Sequence, residues 1–446
     1  MACVQHGTHF GLGTGEVRRR RILPKALAVG LVAGVLASAF RIALATVEHG
    51  RVEFLLDLDR RHRVPVAVGI GVVTGALAVW LVRRFSPDAC GSGIPQLKAF
   101  ILGEGPIQWR RLLPVKFIAG VLGIGGGLAL GREGPTIQMG GATALMVSEW
   151  FRIKPGEGER KALIAAGAGA GLAAAFNAPL AGVIFVLEEL AGSFTPVVFV
   201  AAFLASVTAD VVGRVLTGEM PVFVFGNVRA PGVDAVPFAL VLGVFCGLAG
   251  WVFNRSLLGS LEFYRRLRWP GWAMGALAGG LVGLASGMYP GIGGSGSLLA
   301  ERALNGELAV QGLAALVCAR FLLTMVSYGS GAAGGIFAPL LVIGALGGLG
   351  FGHAVRAVWP GMGIEPVVFA VVGMGGLLTA IVRAPLTGIV LMVELTGKYD
   401  FMLPLLVCCL AAYGVAELLR DPPIYEALRL RAGRLRQPAP AREGGE

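Results

Sequence analysis

A chain of 446 residues that is 55% hydrophobic and only 15% charged, with a mean hydropathy of +0.74, lies outside soluble composition, where about a quarter of residues are charged. So much apolar surface cannot be hidden in aqueous cores, so the bilayer is its solvent, and soluble enzymes and nucleic-acid binders are excluded. The net charge of +11 does not call for a polyanionic partner, because Arg18, Arg19, Arg20 and Arg21 and then Arg429, Arg431, Arg434 and Arg436 sit at the chain ends, as cytoplasmic anchors do.

The first apolar run, 23–47, is longer than the hydrophobic part of a signal peptide and has no convincing cleavage site, which predicts a first membrane helix. Further runs follow at 64–82, 112–130, 135–150, 163–190, 196–215, 236–253, 272–288, 309–325, 332–355, 366–381, 385–395 and 401–419. Several are shorter than the ~20 residues that span a bilayer, and many carry Gly or Pro near the middle. Short, broken helices around an internal site are therefore expected, since irregular backbone at membrane depth needs protein or water to satisfy it. No soluble domain is visible. The six cysteines (Cys3, Cys90, Cys246, Cys318, Cys408, Cys409) form no CxxC and read as small hydrophobes. Of the five histidines, His6, His9, His49 and His62 lie outside the spans or at their edges and His353 is solitary, so no metal site or cofactor is called for.

Internal repetition organises the chain. Residues 178–189 align with 384–395 at an offset of 384 − 178 = 206, placing Pro179, Gly182 and Glu188 on Pro385, Gly388 and Glu394. Residues 131–135 align with 335–339 (335 − 131 = 204), and 91–93 with 294–296 (294 − 91 = 203). Three ordered matches at nearly constant offset predict two homologous halves, 23–215 and 216–419, between a basic segment 1–22 and a terminal segment 420–446. With both basic ends on one side, an inverted pair is permitted, and inverted repeats with segments broken at matching positions are a transporter signature.

The chemistry gathers where glycines precede a predicted helix, and the 70 glycines, more than twice the usual ~7%, read as a means of bringing bare N–H groups to an anion. Gly91, Ser92, Gly93, Ile94 and Pro95 set a hydroxyl beside the free donors of a helix start, with Pro95 suited to the first turn. Gly131, Arg132, Glu133, Gly134 and Pro135 open the next such helix. An ionisable residue at membrane depth is a functional candidate, and adjacent residues do not face one another on a helix, so Glu133 is read as functional rather than as a partner for Arg132. Its repeat mate is Phe337, so the fold does not demand a carboxylate there. Gly335, Ile336, Phe337, Ala338 and Pro339 give a second helix start in the other half, which could aim at the same anion. Glu188 has a mate in Glu394, which predicts a shared structural task such as capping a helix. Glu189 falls on Leu395, and a lone carboxylate in one half suits a proton relay. Asp210, Arg214, Arg320 and Arg383 are assigned to helix ends or structural pairs.

Those three motifs, in that order and in separate halves, resemble the CLC family of chloride channels and chloride/proton antiporters, over essentially the whole chain. The resemblance implies an all-α polytopic membrane protein of two inverted repeats with tilted and broken helices, forming a homodimer with one pathway per subunit. It implies chloride held by the Ser92 hydroxyl, the N–H groups of Ile336 and Phe337, and the Tyr425 hydroxyl. Glu133 is similar to the family's gating glutamate, and Glu189 to the inner proton-accepting glutamate of its transporters. Chloride, protons and the lipid bilayer are then the partners, and antiport is favoured over the alternative, a passive voltage- or pH-gated chloride channel. Ser92 stands where nitrate-selective relatives carry proline, and Ser92 with Tyr425 argues against the fluoride-exporting branch. The implied setting is the cell (inner) membrane, multi-pass, with both termini cytoplasmic. The chain runs 446 − 425 = 21 residues past Tyr425, so a prokaryotic type without a regulatory CBS pair is expected.

Overall fold

The computed structural model describes residues 19–436 apart from 155–157, 193, 220–222 and 224–231. Cys3, His6, His9, Arg18 and the tail 437–446 lie outside the described residues. Regular structure among the described residues is almost entirely helical. The first half forms α1 (Arg19–Asp57), α2 (Arg60–Phe85), α3 (Ile94–Leu102), α4 (Trp109–Gly120), α5 (Glu133–Trp150), α6 (Gly158–Phe176), α7 (Pro179–Phe185) and α8 (Pro196–Thr217). The second half forms α9 (Val236–Leu267), α10 (Gly271–Met288), α11 (Ser297–Leu304), α12 (Val310–Gly329), α13 (Phe337–Val358), α14 (Pro366–Val382), α15 (Pro385–Thr396) and α16 (Met402–Leu418), and α17 (Ile424–Arg436) follows. Eight of these helices are long and apolar enough to cross a membrane, and the chain is a multi-pass membrane protein.

The apolar runs predict where helices lie but not where they break. Run 163–190 divides into α6 and α7 because Asn177 adopts a left-handed conformation (φ +52°) and Pro179 restarts the chain as a new helix. Run 112–130 is α4 and a wide π turn (Val121–Gly125), and it then leaves helix before α5. Run 332–355 becomes helical only at Phe337. The short α3, α11 and α17 are helices that no apolar run marks.

The two halves pair element by element. Helix α1 packs on α8 as α9 packs on α16, and α5 lies along α6 as α13 lies along α14. Helices α5, α6, α13 and α14 are buried along most of their length and form the centre. Outer helices turn apolar side chains outward, including Leu77 and Trp80 of α2, Phe245 of α9 and Leu281 of α10, a surface suited to lipid.

The structure corrects the reading of glycine. Many glycines sit inside helices rather than before them, and they set helix spacing: Gly71 of α2 faces Gly279 of α10, Gly140 of α5 faces Gly167 of α6, and Gly344 of α13 faces Gly373 of α14. At each pair a Cβ would collide with the opposite backbone. Without a hydrophobic drive between helices in lipid, such backbone contact is what holds them together.

Candidate functional site

Three loops from the two halves are tied into one knot. The Gly91 amide donates to Ala332 O (3.0 Å) and the Gly334 amide to Gly91 O (3.1 Å), while Gly131 and Gly335 exchange amide bonds of 2.7 and 2.8 Å. The starts of α3, α5 and α13, the three places singled out by the motifs, are thereby held together. Pro95, Pro135 and Pro339 fall in the first turns of these helices, where a missing N–H removes no intrahelical bond. Gly91 and Gly93 take positive φ (+63° and +82°), and so do their repeat mates Gly294 and Gly296 (+69° and +79°), conformations that side chains disfavour.

Each of the two GlySerGly loops is held from behind by a buried cation. Lys116 of α4 donates to Ala89 O (2.9 Å) and Gly91 O (2.7 Å). Arg320 of α12 donates to Ile292 O (2.7 Å) and to Gly294 O and Ser295 O (both 3.0 Å). These cations are themselves repeat mates, at an offset of 320 − 116 = 204. Arg320 is therefore no helix-end or ion-pair residue, as the sequence suggests, but a loop clamp. Lys116 escapes notice within an apolar run, and its match to Arg320 was the available signal. The pairs Asp210–Arg214 (2.7 Å) and Arg383–Glu417 (3.3 Å) do form as expected.

Ser92 and Tyr425 are both fully buried, and neither hydroxyl has a hydrogen-bond partner among the described residues. Buried polar atoms are rarely left unpaired without a reason. Gly134, at the start of α5, lies against Ser92, and the Tyr328 phenol closes over Gly91, so that a Cβ there would stand 3.0 Å from its oxygen. The amides of Ile336 and Phe337 open α13, where N–H groups have no intrahelical partner and the helix dipole favours negative charge.

Glu133, 2% exposed, turns its carboxylate across to the other half and accepts a hydrogen bond from the Ala338 amide of α13 (3.2 Å). An anion of the protein's own thus occupies a helix start of the opposite half. The Arg132 Nε lies 3.8 Å from the other carboxylate oxygen, so the pairing that helix geometry seemed to forbid does form. Arg132 is the residue immediately before the helix. Arg132 and Glu133 line a small cavity with Phe176, Ala338 and Val342, and Arg132 also borders a wider pocket with Glu48, His49 and Arg51.

At the far ends of α7 and α15 the shared acids cap reciprocally. Glu188 accepts from the amides of Leu386 (3.0 Å) and Thr387 (2.7 Å) at the start of α15, and Glu394 accepts from Leu180 (3.0 Å) and Ala181 (2.7 Å) at the start of α7. The structural task expected from the symmetry of this pair is confirmed. Glu189 is buried but not lone, because the Lys98 ammonium of α3 donates to it at 2.9 Å.

The comparisons with known proteins agree with this architecture. The family described as voltage gated chloride channel matches residues 74–417. An H(+)/Cl(-) exchange transporter ClcA of Vibrio cholerae serotype O1 is 39% identical over 416 residues, 91% of this chain and 88% of the relative. A transporter of the same description from Vibrio parahaemolyticus is 38% identical, covering 93% and 91%. Among solved structures, a slow cyanobacterial Cl-/H+ antiporter superposes with a TM-score of 0.87 at 37% identity, covering 93% of this chain and all but 1% of the other (99%). A eukaryotic CLC transporter, at a TM-score of 0.77 and 24% identity over 93% of this chain and 74% of the other, shares the fold. The chain belongs to the voltage-gated chloride channel (CLC) family.

Proposed function

We propose that the chain exchanges chloride for protons across the membrane, with Glu133 and chloride alternating at one place. The observation that carries this reading is the Glu133 carboxylate seated on the Ala338 amide, the position an incoming anion would take. Next to it the Ser92 and Tyr425 hydroxyls and the first amides of α13 offer donors without a lysine or arginine charge, which would hold chloride too long for transport. Protonation of Glu133 removes its charge and releases the helix start to chloride. Glu189 accepts the proton from the side of α17. The relatives named as H(+)/Cl(-) exchangers support antiport over passive conduction.

Every element of the site comes from one chain, which favours one pathway per subunit of a homodimer. Arg19, Arg20 and Arg21 at one end and Arg429, Arg431 and Arg434 at the other favour cytoplasmic termini in a cell (inner) membrane. The test is transport in reconstituted vesicles: an outward chloride gradient is expected to drive protons inward against their own gradient, whereas chloride movement without a proton signal would mean passive conduction.

A further inference from the structure

Lys98 belongs to none of the sequence motifs, yet it stands between the buried Glu189 and the solvent on the α17 side. Its side chain is 20% exposed and that of Glu189 6%. The ammonium lies 2.9 Å from Glu189 Oε1 and 3.6 Å from Glu426 Oε2 of α17. Glu426 is in turn held by Arg429 through bonds of 2.5 and 3.1 Å, which keep its carboxyl below the usual range and therefore charged. One cation thus has two carboxylates within reach, the buried Glu189 and the more exposed Glu426 held by Arg429. The charged groups facing Glu189 are Lys98 from α3 and Glu426 from α17, while the neighbouring Glu188 is committed to the start of α15.

We propose that Lys98 is a movable counter-charge that sets the proton affinity of Glu189: it pairs with Glu189 when that carboxyl is ionised and turns to Glu426 when Glu189 takes up a proton. A half-buried cation stripped of its partner is unfavourable, and an alternative carboxylate nearby eases the reversible protonation of Glu189. Lys98 is a positioning residue here, acting on transport through Glu189. The inference rests on the reading of Glu189 as the inner proton acceptor.

The experiment measures proton movement per chloride moved, in vesicles at a series of symmetric pH values. Lys98→Met removes the charge that favours the ionised form, so the midpoint at which coupling fails on raising pH is expected to move upward by ~1–3 pH units, the usual effect of one close opposite charge. Glu426→Gln leaves Lys98 committed to Glu189 and removes a repelling charge, so its midpoint moves downward. Lys98→Arg keeps the parent profile. A Lys98→Met midpoint equal to or below the parent's overturns the proposal, as does an upward shift in Glu426→Gln, which decides the matter if Lys98→Met does not fold. Glu189→Gln separates the two readings. Loss of proton transport in that variant together with an unmoved Lys98→Met profile rejects only the role of Lys98, whereas normal proton transport in Glu189→Gln rejects the inner acceptor and, with it, this inference.

Discussion

The same loop occurs twice in this molecule with opposite fates. Gly91, Ser92 and Gly93 in one half and Gly294, Ser295 and Gly296 in the other share left-handed glycines and a buried cation clamping the carbonyls. In the second half the serine is satisfied, because Glu48 of α1 accepts from the Ser295 amide (2.6 Å) and its hydroxyl (2.9 Å). In the first half the Ser92 hydroxyl has no partner among the described residues. What the halves share is what the fold requires, and where they differ the proposed chloride site lies. The acids divide in the same way: Glu188 and Glu394 are matched and cap helices, whereas Glu133 and Glu189 have the apolar repeat mates Phe337 and Leu395.

The largest test of the shared part is removal of a clamp. Arg320→Met leaves three buried carbonyls unpaired and should cost about 3 kcal/mol or more, whereas Lys116→Met leaves Ala89 O unpaired while Gly91 O keeps the Gly334 amide and should cost about 2 kcal/mol, each read as a fall in thermal midpoint in detergent. A clamp variant as stable as the parent would break the comparison. Glu188→Ala and Glu394→Ala should each lose about 1–2 kcal/mol, Glu188→Ala the more, because Glu188 also accepts from the Thr387 hydroxyl (2.7 Å). The smallest stability effect sharpens the contrast most. Ser295→Ala loses a hydrogen bond to a carboxylate and should cost about 1 kcal/mol, whereas Ser92→Ala should stay within about 0.5 kcal/mol of the parent while chloride binding measured by calorimetry weakens. Equal stability losses in the two serine variants would mean that Ser92 is as structural as its mate.

Much of this was legible in the sequence because it is local. Helix starts announce themselves by glycine and proline, and the repeat offset exposes the mismatched acids. Legibility ended where partners meet through space. Lys98 and Glu189 are 91 residues apart and meet only in the folded molecule. Lys116 is hidden by its apolar neighbours until Arg320 is laid over it. Composition also could not separate the glycines of the loops from those, such as Gly71 and Gly279, that let helices touch. Arg132 illustrates the same limit at short range, since a rule for residues within a helix does not govern the residue preceding one.

The central claim is that one carboxylate and chloride share a single place, and Glu133→Gln tests it most directly. Glutamine keeps the shape of the protonated side chain and cannot carry the proton. In vesicles bearing a chloride gradient, the parent should drive protons uphill, and Glu133→Gln should still move chloride with no proton movement at any pH. Proton coupling that persists in Glu133→Gln would contradict the account.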